Sequence, residues 1–332
     1  METHAKNLLV QLALAGVVSH AISCAAELEL ADLLGDGPLD LEELAVLASC
    51  SPSHLHRLLR ALSTVGVFAL VDGKVALTPA AQWLRRKNAD SLWPLVSFFG
   101  KEMNSALATL PVTVRTGQAG WNSVFSSPFW QYLDEHPERG QAFDAMMSGL
   151  CEQEVDAIVT AYDFSRAETV VDLGGGNGSV LHAVLRRNPD VVGVLFDSPK
   201  VVERLRENAA VRAWNGRWRC IAGSFFDSAP TADLYVLRHV LHDWPDTSAR
   251  RILETCRAHC APAAHILVIE HLVENDNAPS RAKWMDLGMM VNFGGQERTF
   301  AEYSALCAAA GLQVSRVIKT KDAISIIEAE PS

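Results

Sequence analysis

Positive charge is scarce in this chain. Lysine and arginine total 29 against 39 aspartates and glutamates, which leaves a formal net charge of −10 over 332 residues. A surface that tracks phosphates or anionic lipid needs clustered basic side chains, so neither nucleic acid nor membrane is expected as a partner. Cysteine is sparse too. The seven are Cys24, Cys50, Cys151, Cys220, Cys256, Cys260 and Cys307, an odd number with no C-x-x-C. That argues against a disulfide framework and for reduced thiols in a cytoplasmic protein. Cys256, His259 and Cys260 can share a helical face, but no second cluster completes a four-ligand zinc site, so no metal is expected. The chain does not open with a basic segment, an apolar core and a small-residue cleavage site. No apolar run is expected to reach the ~18 residues that span a bilayer. Internal repeats and low-complexity segments are missing as well. What remains is 49% hydrophobic and 20% charged, a globular composition in a chain long enough for two domains and a sizeable core.

The most informative stretch is VVDLGGGNGS at residues 170–179. It reads as strand, tight turn and helix start. Gly174, Gly176 and Gly178 allow positive φ and close approach of a ligand to the backbone. The first turn of the helix after them offers unpaired N–H groups that suit an anion. A dinucleotide fingerprint is G-x-G-x-x-G, whereas the pattern here is D-x-G-x-G-x-G. A second acid, Asp197, closes the next strand-like run at 191–196, where a carboxylate can accept hydrogen bonds from both ribose hydroxyls. The competing reading is a structural turn of any α/β protein.

Residues 7–34 read as helical and end at the Gly-Asp-Gly-Pro of 35–38. Asp40 is placed to cap a helix through Leu47, and Ser51-Pro52-Ser53 starts another with Leu55, Leu58, Leu59, Leu62 and Val65 on one stripe. Residues 67–71 and 75–77 flank Asp72-Gly73-Lys74, a hairpin signal. Helix, helix, hairpin is a winged-helix pattern. Arg57 and Arg60 are too few, and the acids around them too many, for a DNA-reading surface. Residues 92–165 read as helices rich in aromatics, most of them expected to fill a core. From 166 on, strands at 169–173, 191–196, 218–222, 232–238 and 265–270 alternate with helices, the pattern of a parallel sheet covered on both faces. Residues 312–319 and 323–328 look like an antiparallel pair. The expected division is 1–90, a connector at 91–165, and 166–332.

Three stretches, VDLGGGNG at 171–178, LRHVLHDWPD at 237–246 and GGQERT at 294–299, together resemble the small-molecule O-methyltransferase family, which includes plant caffeate and bacterial polyketide and phenazine enzymes. The resemblance covers nearly the whole chain. It implies a Rossmann-like class I methyltransferase domain, a mostly parallel sheet finished by an antiparallel hairpin. It also implies an N-terminal α-helical winged-helix domain that makes a homodimer, with S-adenosylmethionine as cofactor and a hydroxylated aromatic small molecule as substrate. By that resemblance Gly174 and Gly176 hold the cofactor, Asp197 its ribose, Ser224 and Phe225 its adenine, and Arg238 reaches toward it. Relatives carry an acid at Ser224 and a serine at Cys151, so this chain departs from the pattern at both. His242 matches the catalytic base, flanked by Glu270 and Glu297. A histidine near pKa ~6.5 can take the proton of a phenol near ~10. Phe143, Met147, Asp243, Met289 and Asn292 are the expected substrate contacts, with Met290, Trp244 and Phe293 nearby. Asp246 is expected to cap the helix containing Arg250 and Leu253. Two rival functions are a relative that keeps the cofactor for a non-methylating reaction, and a winged-helix regulator that senses a metabolite.

Overall fold

The computed structural model describes residues 2–35, 37–88, 90–206, 214 and 216–332, without the side chains of residues 2, 3, 148 and 150–153. Cys151, one of the positions where the chain departs from its relatives, therefore lies outside the described side chains. The chain forms two compact units, residues 1–105 with 136–149, and residues 106–135 with 150–332. Residues 91–165 contribute to both.

In the first unit, α1 (Glu2–Glu27) and α2 (Leu30–Leu34) are separated at Glu29, whose φ is +53°. The strand β1 (Leu39–Asp40) leads into α3 (Leu41–Leu47) and α4 (Pro52–Thr64). A hairpin of β2 (Phe68–Val71) and β3 (Lys74–Leu77) follows, with β1 antiparallel to β3 on its other side. Asp72 and Gly73 turn the hairpin with φ of +51° and +81°, the positive pair that a tight hairpin turn demands. Leu55, Leu59 and Leu62 of α4 are buried with Leu30, Leu44, Phe68 and Val75, but of the predicted stripe Leu58 is only half-buried and Val65, just past the helix, is exposed. Asp40 precedes α3 as expected, but its side chain makes no cap hydrogen bond.

The helix α1 corrects one expectation. His4–Glu27 is long and apolar enough, by length and composition, to cross a membrane. Its leucines lie open, Leu9 at 69% and Leu12 at 61% exposure.

The second unit is built on a seven-stranded sheet. Its parallel strands are β4 (Thr169–Leu173), β5 (Val192–Asp197), β6 (Trp218–Ala222), β7 (Ala232–Arg238) and β8 (Cys260–His271). The pair β9 (Leu312–Lys319) and β10 (Ile324–Pro331) runs antiparallel. The order is β6-β5-β4-β7-β8-β10-β9. Alternation along each strand sorts the core into two layers. Val171, Leu173, Tyr235, Leu237, Ile266 and Val268 face one side. Val170, Leu234, Val236, Leu267 and Ile269 face the other. Both faces are covered, so the strands read as near-continuous apolar runs. The sheet order reverses between β4 and β7, and ligands of such sheets bind beyond the carboxyl ends of the strands at that switch.

Candidate active site

The segment after β4 is made of backbone. Gly174, Gly176 and Gly178 have φ of +67°, +57° and +75°. A Cβ on Gly178 would fall 2.4 Å from the Trp218 ring, and one on Gly174 would fall 3.0 Å from Val240. One on Gly176 would meet nothing within 4 Å. The outer two glycines thus let the turn pack, while the middle one leaves open space above the backbone. Asp197, at the end of β5, accepts the Gly176 N–H at 2.9 Å through Oδ2 and the Ser198 N–H at 2.6 Å through Oδ1. Burial pushes its carboxyl upward against those bonds. Asp172 packs beneath Gly175, and burial raises it to about 7 against the pull of Arg238.

Phe225 stands 3.6 Å from the Cβ position of Gly174, with Phe226 and Trp244 at ring distances of 5.0 and 6.1 Å. Ser224 Oγ accepts the Phe226 N–H at 3.2 Å and shapes that loop. Asp227 points away and pairs with Arg251 at 3.2 Å on the surface. Arg238 is largely buried, its Nη1 3.9 Å from Glu154 Oε2.

The segment after β7 is made of side chains. The backbone turns at His239, with φ of +53°, into a short helical turn Leu241–Asp243. Glu270, at the end of β8 and 0% exposed in its side chain, accepts the N–H groups of Val240, Leu241 and His242 through Oε1 at 3.0–3.3 Å. Its Oε2 lies 3.4 Å from His242 Nδ1. His242 Nδ1 donates to Glu297 Oε1 at 2.9 Å, which leaves Nε2 on the far side of the ring, 3.5 Å from Asp243 Oδ1. The N–H of Glu297 in turn donates to Asp286 at 2.8 Å.

Burial alone would lower His242, but Glu270, Asp243 and Glu297 overcome it and raise the imidazole to about 9. Burial pushes Asp243 up to about 7 against His242. Burial also pushes Glu270 up, but His242 and His239 outweigh it and hold the carboxyl low.

Asp246 does not cap its helix. Pro245 occupies that place in front of Asp246–His259, and Asp246 Oδ1 accepts instead from Arg298 Nη2 at 2.8 Å and Gln296 Nε2 at 2.8 Å. The Arg298 side chain is 0% exposed and also donates to the carbonyls of Leu241 at 3.0 Å and Trp244 at 2.8 Å. Arg298 thus clamps the turn after β7. Gly295 makes the same contact by being small, since a Cβ there would fall 2.0 Å from the His242 carbonyl oxygen.

Met289 and Asn292 lie on α5 (Arg281–Asn292). Met289 is half-buried. Asn292 is buried, its Nδ2 donating to the Gly288 carbonyl at 2.8 Å and its Oδ1 without a partner. Trp244 and Phe293 are half-buried, Phe293 against Phe129 at 4.4 Å. Phe143 and Met147 belong to the first unit, Phe143 buried 5.6 Å from the Phe98 ring. Sequence reasoning missed Glu154, His239, His271, Asp286 and Arg298. Of these His239 and Arg298 carried a signal, by sitting inside LRHVLHDWPD and GGQERT.

Comparison with known proteins fits this geometry. Residues 107–313 match the O-methyltransferase domain and residues 10–87 the O-methyltransferase dimerisation domain. A phenazine O-methyltransferase of Lysobacter antibioticus is 36% identical over 98% of this chain and 96% of its own length. The structure of a mitomycin 7-O-methyltransferase superposes with a TM-score of 0.94 at 32% identity, over 100% of this chain and 99% of that one. An O-methyltransferase of neocarzinostatin biosynthesis, solved with S-adenosylmethionine and 2-hydroxy-5-methyl naphthoic acid, gives 0.86 at 32% identity over 95% and 96%. The residues here suit that cofactor. Open space above Gly176, a carboxylate at Asp197 and the Phe225 ring stand together at the switch point, and the surrounding acids favour a sulfonium cation. The chain belongs to the O-methyltransferase family and is an S-adenosylmethionine-dependent enzyme with the family's own dimerisation domain.

Proposed function

We propose that this enzyme methylates a hydroxyl of an aromatic secondary metabolite and that His242 is its general base. The observation that carries the proposal is the His242–Glu297 hydrogen bond of 2.9 Å inside a turn pinned by Glu270. A carboxylate on Nδ1 fixes the tautomer that presents Nε2 as the acceptor. Bound S-adenosylmethionine supplies a methyl group already activated by a sulfonium. His242 Nε2 takes the hydroxyl proton as the oxygen attacks. Glu297 stabilises the imidazolium that forms, and Glu270 holds the backbone of the turn still. Gly174, Gly176, Asp197, Ser224, Phe225 and Arg238 form the cofactor side, Asp243, Met289 and Asn292 the acceptor side. Asn292 Oδ1 accepts a hydrogen bond from a second polar group of the ring system, a role its burial without a partner supports. Positioning of the two bound reactants contributes up to about 7–11 kcal/mol of the barrier reduction.

The exposed leucines of α1, within the dimerisation domain, support a homodimer through that helix. The unpaired thiols support a cytoplasmic location.

The test is incubation with S-adenosylmethionine and a panel of hydroxylated phenazines, naphthoates and simple phenols, following S-adenosylhomocysteine and product mass. The expected result is a gain of one methyl, lost in His242→Ala. Cofactor binding by calorimetry with no transfer across the panel would favour a non-methylating reaction.

A further inference from the structure

Next to the catalytic histidine lies a second imidazole that the reaction scheme does not use. His239 stacks on His242, with ring centroids 5.2 Å apart and planes 26° from parallel. Its backbone sits in the left-handed region, φ +53°, which a residue with a β-carbon seldom adopts. That conformation is held by a hydrogen bond from the His239 N–H to the Ile269 carbonyl at 3.2 Å. Glu270 Oε2 stands between the two rings, 3.4 Å from His242 Nδ1 and 3.5 Å from His239 Nδ1. On the far side of His239, Glu154 Oε2 lies 2.8 Å from Nε2, and its Oε1 lies 3.2 Å from His271 Nε2. Imidazoles and carboxylates thus alternate from His242 through Glu270, His239 and Glu154 to His271. Direct hydrogen bonds join Glu154 to both imidazoles, and the Arg238 guanidinium stands 3.9 Å from it. These groups form a charge-paired cluster.

We propose that His239 is a positioning residue for His242, and that Glu154, acting through His239, sets the pH at which the His242 imidazole becomes a free base. The proposal rests on the reading of His242 as the base. Its physics is a competition for one carboxylate. Burial pushes Glu154 upward, but the bonds from His239 and His271 hold it ionised. A carboxylate held ionised by an imidazole favours the positive form of that imidazole in return. A cation on His239 draws the Glu270 charge toward itself and repels a proton on the stacked His242 ring. Without that cation the whole of Glu270 acts on His242, which then keeps its proton to higher pH. The other groups that bear on His242 are Asp243, Glu297, Asp286 behind Glu297, the Arg298 guanidinium and the Tyr303 hydroxyl. All of them stay in place in the variants below.

The test is an NMR titration of labelled histidine in the full chain with S-adenosylhomocysteine bound, with the His242 signal assigned by its loss in His242→Asn. The first variant is His239→Asn, because asparagine tolerates the left-handed backbone and cannot carry charge. The second is Glu154→Gln, which leaves the imidazole in place and removes the anion behind it. In both, the His242 titration is expected to move up by about one pH unit, read on folded protein with S-adenosylhomocysteine bound. Glu154→Gln alone decides the matter if His239→Asn does not fold. A His242 titration that stays at the wild-type pH, or moves down, overturns the proposal. The NMR reading does not depend on turnover. Full turnover in His242→Asn would instead remove the base assignment, and with it the catalytic meaning of the coupling, whatever the titration shows.

Discussion

Two turns leave neighbouring strands of one sheet and solve different problems with different materials. The turn after β4 is built of glycines, and its shape is set by what would collide if a Cβ were added. The turn after β7 is built of buried charge, and its shape is set by carboxylates and a guanidinium from residues far along the chain. A binding turn needs open backbone, and backbone geometry is local. A catalytic turn needs a held proton acceptor, and holding one in a buried place takes partners from several elements. The two turns are therefore expected to fail differently.

The largest effect is expected at His242. His242→Asn should lower kcat by about 10²–10⁴-fold, the usual worth of a positioned base, while calorimetry finds cofactor affinity within about twofold of wild type. An equal loss of affinity would mean that the two turns are one unit. Arg298→Met comes next. It leaves the carbonyls of Leu241 and Trp244 without their donor, at a cost of about 2–4 kcal/mol in chemical denaturation followed on the catalytic unit. Gly178→Ala should cost about as much. Its φ of +75° and the Trp218 ring in the way combine strain with overpacking, roughly 2–4 kcal/mol together, read as weakened cofactor binding and a lower unfolding midpoint.

Acidity gives a smaller and graded effect. His242 raised to about 9 is mostly protonated at pH 7 and must lose that proton to act. The kcat/KM of the free enzyme should therefore climb about tenfold from pH 7 to 8 and flatten near 9. A profile already flat at pH 7 would mean that the acids around His242 are themselves neutralised in the working enzyme. The smallest effect is expected for Gly176→Ala. It meets no neighbour, so it carries only the backbone strain of a φ of +57°, about 1–2 kcal/mol, and should appear as a slightly lower unfolding midpoint.

The same contrast explains what could be read in the sequence. The glycine turn, the strands on either side of it and Asp197 were legible, because glycine spacing and runs of apolar residues act over a few positions. The cover on both faces of the sheet followed from the alternation of strands with helices. At the second turn His242, Glu270 and Glu297 could be named only through resemblance to a family, since nothing within a few residues of His242 says which acids will reach it. Asp246 was misread for the same reason. A local rule made it a helix cap, but its partner is Arg298, 52 residues away. His239 lay inside the LRHVLHDWPD stretch, but its partner Glu154 is 85 residues away and nothing local paired the two. In the first unit the two-residue strand β1 was too short to show alternation. In α1, scattered polar residues hid a stretch whose average hydropathy is nonetheless that of a membrane-length helix.

Gly295 shows how narrow the margin is. Its backbone lies so close to the His242 carbonyl that a single added methyl would displace the turn after β7, while the glycine turn stands at the end of another strand. A one-codon change there offers lineages of this fold a short route from transferring a methyl group to merely carrying the donor. Position 295 is the place to look first when a relative with an intact cofactor turn has fallen silent.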